Sequence, residues 1–183
     1  MGASGCFDGD MAPDGQLKTE PATRTDRLLP AALRITAGLL WLSNVGWKTP
    51  PGFGRSDDGC SGLCSFVEVG IDDAVIPPWS WVLENLVSPN LTAFGYLTLA
   101  MEFLLAVLLL SGTFTRAAAV VGFAQSIAIG LTVANAEGEW YWSYLLMAAL
   151  HVAVFATAAG RYYGVDALLR QQRGLPRWLE AAT

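Results

Sequence analysis

The apolar residues of the chain fall into four long blocks separated by polar segments. Crossing a bilayer core of about 30 Å as a helix takes about 20 consecutive, mainly apolar residues. The blocks at 28–46, 91–111, 117–134 and 141–159 approach that length. They predict four transmembrane helices, spans one to four. Helices of a soluble bundle would carry polar faces, and these blocks do not. The expected fold is therefore all-α, an integral membrane four-helix bundle over residues 28–162. A tail (1–27) precedes it and a second, interfacial tail (163–183) follows.

The first tail is rich in Gly, Asp, Pro, Thr and Ala and lacks the basic start and short apolar core of a signal peptide. It reads as disordered, and span one is expected to remain in the mature protein. Arg24 and Arg27 introduce that span, with Pro30 in its first turn, where a missing N–H costs little. Composition agrees with one membrane bundle, since 53% of the 183 residues are apolar and only 15% are charged.

Orientation follows from Lys and Arg beside the spans, because basic loops stay in the cytoplasm. Lys18, Arg24, Arg27, Arg116, Arg161, Arg170, Arg173 and Arg177 lie on one side, against Lys48 and Arg55 on the other. Both termini are thus expected in the cytoplasm of a multi-pass cell-membrane protein, in a prokaryotic plasma membrane. The long 47–90 loop and the short 135–140 connection lie outside. Trp47, Trp79, Trp81, Trp140, Tyr141 and Trp142 fall near that outer interface, where amphipathic rings are favoured.

The outer loop is too long for a simple connector, and long loops are often functional. Prolines at 50, 51, 77 and 78 bracket two candidate short helices, Phe66–Ile71 and Trp79–Leu86. Cys60 and Cys64 stand in CSGLC on the oxidising side, a spacing that lets the sulfurs meet in a turn. A structural disulfide, a redox-active dithiol and unpaired thiols are the three readings. A metal site is not expected, because no His is near and Cys6 lies on the other side. The loop is acidic, in keeping with a net charge of −5, so nucleic acid is not an expected partner. After span four, Leu168, Leu169, Leu175 and Trp178 alternate with Arg170, Arg173 and Arg177, a pattern suited to lying on lipid head groups.

Within the spans four polar side chains stand out, because such groups are costly in hydrocarbon unless paired or turned inward. They are Arg34, Glu102, Gln125 and His151. At about 1.5 Å per residue, Arg34 lies about 10 Å beyond Arg27, Gln125 about 14 Å beyond Arg116, His151 about 15 Å beyond Arg161, and Glu102 about 20 Å from Arg116. All four are thereby expected near mid-membrane, with an Arg34–Glu102 ion pair at the centre. One reading is a clamp that fixes helix packing. The other is a site for a quinone head group or a proton, with Glu102 and His151 as catalytic groups and Arg34 and Gln125 holding the quinone. His151 is the only histidine, which excludes bis-His haem ligation within one chain. A second constellation, Asn44, Trp47 and Lys48, marks the outer end of span one. It reads as a substrate pocket or as an aromatic belt with a snorkelling lysine.

These segments together resemble a known family. LRITAGLLWLSNVGWK in span one, AMEFLLAVLLLSGTFTRAAA across spans two and three, and the GRYYGVDALL exit from span four resemble the DoxX/DoxD family over residues 28–170. The long Trp-rich loop is closer to the DoxD branch. The resemblance implies a four-helix membrane protein and a link to thiosulfate:quinone oxidoreductase, with electrons passed to a membrane quinone. Arg34, Trp47, Lys48, Glu102, Arg116 and Arg161 stand in the recurring pattern. No haem, flavin, iron–sulfur or metal motif is present, so a quinone-linked component would need a larger protein partner or a second copy of itself, beside lipid. The alternative is a non-catalytic accessory or assembly subunit of a larger respiratory or redox complex.

Overall fold

The computed structural model describes residues 23–171 and 176–183. The expected tail over 1–22, with Cys6 and Lys18, lies outside these, as do Arg173 and Leu175. The described chain is helical apart from turns and one small hairpin of β1 (Arg55–Ser56) and β2 (Gly59–Cys60). Three helical segments are long and apolar enough to cross a membrane: α1 (Arg24–Val45), the stretch Pro77–Ser111, and α5 (Thr115–Val133). The fourth expected span is the shorter apolar helix α6 (Tyr141–Ala156), which at 1.5 Å per residue reaches about 24 Å.

The helix ends follow local chemistry. Helix α1 starts at Arg24 because Thr23 and Asp26 form a capping box in which each accepts a backbone N–H of the other. Pro30 consequently sits inside the helix, not in its first turn. The expected helix at 79–86 is the front of a longer stack. Pro77 and Pro78 open α3 (Pro77–Val82), a π turn (Leu83–Val87) and a 3-10 turn (Ser88–Asn90) follow, and α4 (Leu91–Ser111) continues from there. Helix α4 ends at Gly112, whose φ of 70° is the left-handed cap that glycine adopts without penalty. The other loop helix, α2 (Gly62–Asp73), extends well beyond the expected 66–71.

Helix α1 packs mainly on α4, and α5 mainly on α6. Both pairs are antiparallel: early Arg34 bonds to late Leu109 while late Lys48 bonds to mid-helix Glu102, and Gly122 and Gly130 approach His151 and Tyr144. The shared core uses small residues, Ala37, Ala106, Ala118 and Ala119, around Trp41, Leu105, Leu109 and Val154, as close helix packing in a membrane favours. The outside is apolar. Leu39, Leu97 and Leu146 are 54%, 61% and 66% exposed while Glu102, His151 and Asp166 are fully buried, which reverses the soluble pattern and suits a lipid surround. A second core at the loop end joins Phe53, Leu63, Cys64, Val67, Leu83 and Val87 to Leu91 of α4. Phe53 meets the Tyr96 ring edge-on at 5.0 Å, which ties the loop to the bundle.

The opposite end is held by α7 (Val165–Leu169), and α8 (Arg177–Ala182) packs nearby against α5. Buried Asp166 accepts the backbone N–H of Phe114 (2.8 Å) and of Thr115 (2.9 Å) at the start of α5, and its own N–H bonds to the Gly112 carbonyl. It caps one element from another 51 residues away along the chain. Asp166→Ala would strand two buried donors, so we expect a loss of about 3 kcal/mol, read as a lower unfolding temperature in detergent, with Asp166→Asn retaining part of it.

Candidate functional site

Helices α1, α4, α5 and α6 converge beneath α2 and α3 around a cavity of about 740 Å³ at the loop end of the bundle. Its walls are mostly apolar, with Phe66, Trp79, Phe94 and Met101 among them. Polar groups gather at Asn44, Lys48, Glu102 and Gln125.

The centre of that polar wall is an ion pair. Lys48 Nζ lies 2.6 Å from Glu102 Oε2, with both side chains almost wholly buried. Lys48 stands just past the end of α1, and its long stem brings the ammonium to the α4 carboxylate. Asn44 holds both partners: its carbonyl accepts from Lys48 Nζ at 2.9 Å and its Nδ2 donates to Glu102 Oε1 at 3.2 Å. Trp47 donates to Asn44 Oδ1 at 2.9 Å, and its ring lies 4.2 Å below the ammonium. Asn44 lies in the last turn of α1, and Trp47 and Lys48 follow in the turn just beyond it, which makes the set local to the end of span one except for Glu102. An ammonium has three N–H donors, and these hydrogen bonds use two of them.

The expected Arg34–Glu102 pair does not form. Arg34 donates instead to the carbonyls of Leu109 and Leu110, at the far end of α4, and of Tyr163, beyond α6. The last carbonyls of a helix have no intrahelical donor and carry partial negative charge, so a buried guanidinium finds its acceptors there. Glu102 is answered by Lys48 from the other side. Gln125 does stand beside Glu102 at the cavity wall, whereas Arg34 is part of the tail-end packing.

His151 is completely buried in a structural niche. Its Nδ1 lies 2.7 Å from the Met147 carbonyl and its Nε2 accepts from Trp41 Nε1 at 2.9 Å, an arrangement that assigns the neutral Nδ1–H tautomer. The ring packs on Gly122, where any side chain would overlap it. Both nitrogens are engaged, so proton transfer through His151 requires one of these bonds to open.

Cys60 and Cys64 are joined in a disulfide. It links β2 to the first turn of α2, and the Glu68 carboxylate lies within 4.8 Å of both sulfurs. Leu63 and Val67, on either side of Cys64 in α2, line the cavity, so the bridge braces its roof. Two residues that sequence reasoning did not single out are structurally prominent. Trp41 supplies the His151 contact and also lines the cavity, and Asp166 makes the cap described above. Trp41 had a signal, since it lies seven residues after Arg34, two helical turns along the same face of α1.

The family described as TQO small subunit DoxD matches residues 67–177. That segment holds Glu102, Gln125, His151 and Asp166, while Lys48 and the cysteine pair precede it. No curated protein and no solved structure matches the chain.

Removing one member of a buried ion pair leaves an uncompensated charge and typically costs about 3–5 kcal/mol. Lys48→Met and Glu102→Gln alone should each lower the unfolding temperature in detergent, Lys48→Met more. The double variant should be more stable than the sum of the two losses implies. Strict additivity would show that the two groups do not interact.

Proposed function

Because the chain belongs to the DoxD family, we propose that it is the quinone-facing membrane component of a thiosulfate:quinone oxidoreductase, and that the loop-end cavity receives the quinone head group. The observation that carries this reading is the buried Lys48–Glu102 pair set into an otherwise apolar cavity of about 740 Å³, within the size range of small-molecule sites. The residues fit such a ring. Trp47, Phe66 and Trp79 offer flat apolar surface, and the remaining Lys48 donor and the Gln125 amide can meet a carbonyl oxygen. A bound quinone would supply two-electron, two-proton acceptor chemistry. Glu102 holds a proton-exchanging oxygen at the same wall, and Lys48 offsets its charge. Apolar walls contributed by all four spans keep bulk water from this group. Trp47 and Lys48 are thereby assigned to the ligand, Glu102 to the proton. His151 and Arg34 act by fixing the helices that carry them.

A non-catalytic accessory role is the second reading. It is favoured by the family's description as a small subunit, which presupposes a larger partner. We further place the loop end outside the cell and both termini in the cytoplasm of a prokaryotic plasma membrane. Arg24, Arg27, Arg116, Arg161, Arg170 and Arg177 gather at the tail end, and basic residues favour the cytoplasmic side.

The deciding experiment is thiosulfate-dependent reduction of a quinone analogue by the protein in lipid together with its co-purifying partner. We expect Glu102→Gln to lower turnover at least about tenfold while the assembly stays intact. A Cys60→Ser/Cys64→Ser variant should retain turnover. Unchanged turnover in Glu102→Gln would move the chemistry to the partner and leave this chain the accessory role. Orientation is checked separately on intact cells, using an impermeant thiol reagent and a background in which the native cysteines are serine. Asp58→Cys should be labelled at once, and Gln171→Cys only after the membrane is opened.

A further inference from the structure

At the tail end, Arg27 of α1 and Arg161, Tyr162 and Tyr163 after α6 line a second cleft of about 330 Å³. Among the described residues, no acidic side chain lines it. Arg161 is in no ion pair among the described residues, where Lys48–Glu102 is the one salt bridge. The carboxylate that faces this region, Asp166, already accepts two backbone N–H groups of α5. Glu180, on neighbouring α8, offers only its main-chain carbonyl, to Arg170. Arg116 adds a further cation, with its guanidinium 4.3 Å over the Phe155 ring and a buried Nε that has no partner. Partial burial and the positive charges of Arg170 and Arg116 draw the Arg161 guanidinium below its ordinary value. Among the described residues, positive charges have thus been gathered with only Asp166, itself engaged by main-chain amides, to balance them.

The surroundings say which anion fits. The cleft lies where the membrane-crossing helices end; Tyr163 in its wall is exposed, and so are Leu28 and Leu29, next to Arg27 along α1, and Leu168 of α7. Arginine forks match a phosphate geometrically, the two tyrosines add hydroxyls, and the exposed apolar side chains suit acyl chains. We propose that this cleft binds the phosphodiester head group of an anionic phospholipid. The site is remote from the loop-end cavity and does not depend on what that cavity binds.

The test is the unfolding temperature of the delipidated full chain in neutral detergent, titrated with phosphatidylglycerol, phosphatidylcholine or inorganic phosphate. Phosphatidylglycerol should raise it saturably, by about 5 °C or more at saturation, and phosphatidylcholine should not. An Arg27→Gln/Arg161→Gln double variant should lose the rise, and Arg27→Gln alone, a change at an exposed position, should weaken it several-fold in lipid concentration. An Arg24→Gln/Arg177→Gln variant removes the same charge from outside the cleft and should keep the rise. Equal loss in both double variants would show diffuse attraction and overturn the site. An equal rise with inorganic phosphate would replace the lipid with a soluble anion, and a rise retained by the Arg27→Gln/Arg161→Gln variant would overturn the assignment.

Discussion

A carboxylate placed in the middle of a membrane-crossing helix must be answered by a cation or a proton, and much of this fold follows from how Glu102 is answered. Its cation comes from beyond the end of α1, so Lys48 must bend back into the bundle, and Asn44 must stand where it can hold both groups. That requirement sets the register of α1 against α4. It also keeps polar atoms at one end of the packed core, where α2 and α3 can cover them. The result is a charged pair in an apolar chamber. Such a pair contributes little net stability because desolvation offsets attraction, whereas losing one partner alone strands the other.

The two ends of the bundle solve the same problem by different means. At the loop end, charge meets charge. At the tail end the two terminal nitrogens of Arg34 bond to main-chain carbonyls, its Nε staying without a partner, and Asp166 bonds to main-chain amides, so these ionic groups act as caps for helix termini. Between them, His151 and Trp41 form a neutral hydrogen-bonded contact that ties α6 to α1. Glu102, Arg34 and His151 therefore have distinct tasks, and of these three only Glu102 lines the loop-end cavity.

Much of the fold was legible in block length alone. The second span was expected at 91–111 and α4 occupies Leu91–Ser111, because Asn90 and Gly112 flank a mainly apolar run in which Glu102 is the one charged residue. The polar residues of the spans were also legible as special, but not their partners. Depth along a helix treats a side chain as a point, and the error it makes for Lys48 and Arg34 is the length of the side chain itself. Asp166 escaped notice because its partners are backbone amides at a left-handed Phe114, a conformation with no sequence signature at a non-glycine residue. The loop helices were detected but shortened, since Gly62 and the π turn after Val82 do not interrupt them as local propensity suggests.

The Asp166 cap also orders events during synthesis. Phe114 and Thr115 are made and inserted well before the residue that satisfies them, which follows the last of the spans. Until that residue emerges, the start of α5 has two open amides and the two helix pairs lack their common latch. A chain that ended between α6 and residue 166 would thus carry every span and still lack this closure, so that inserting the helices and locking them together are separate steps of assembly.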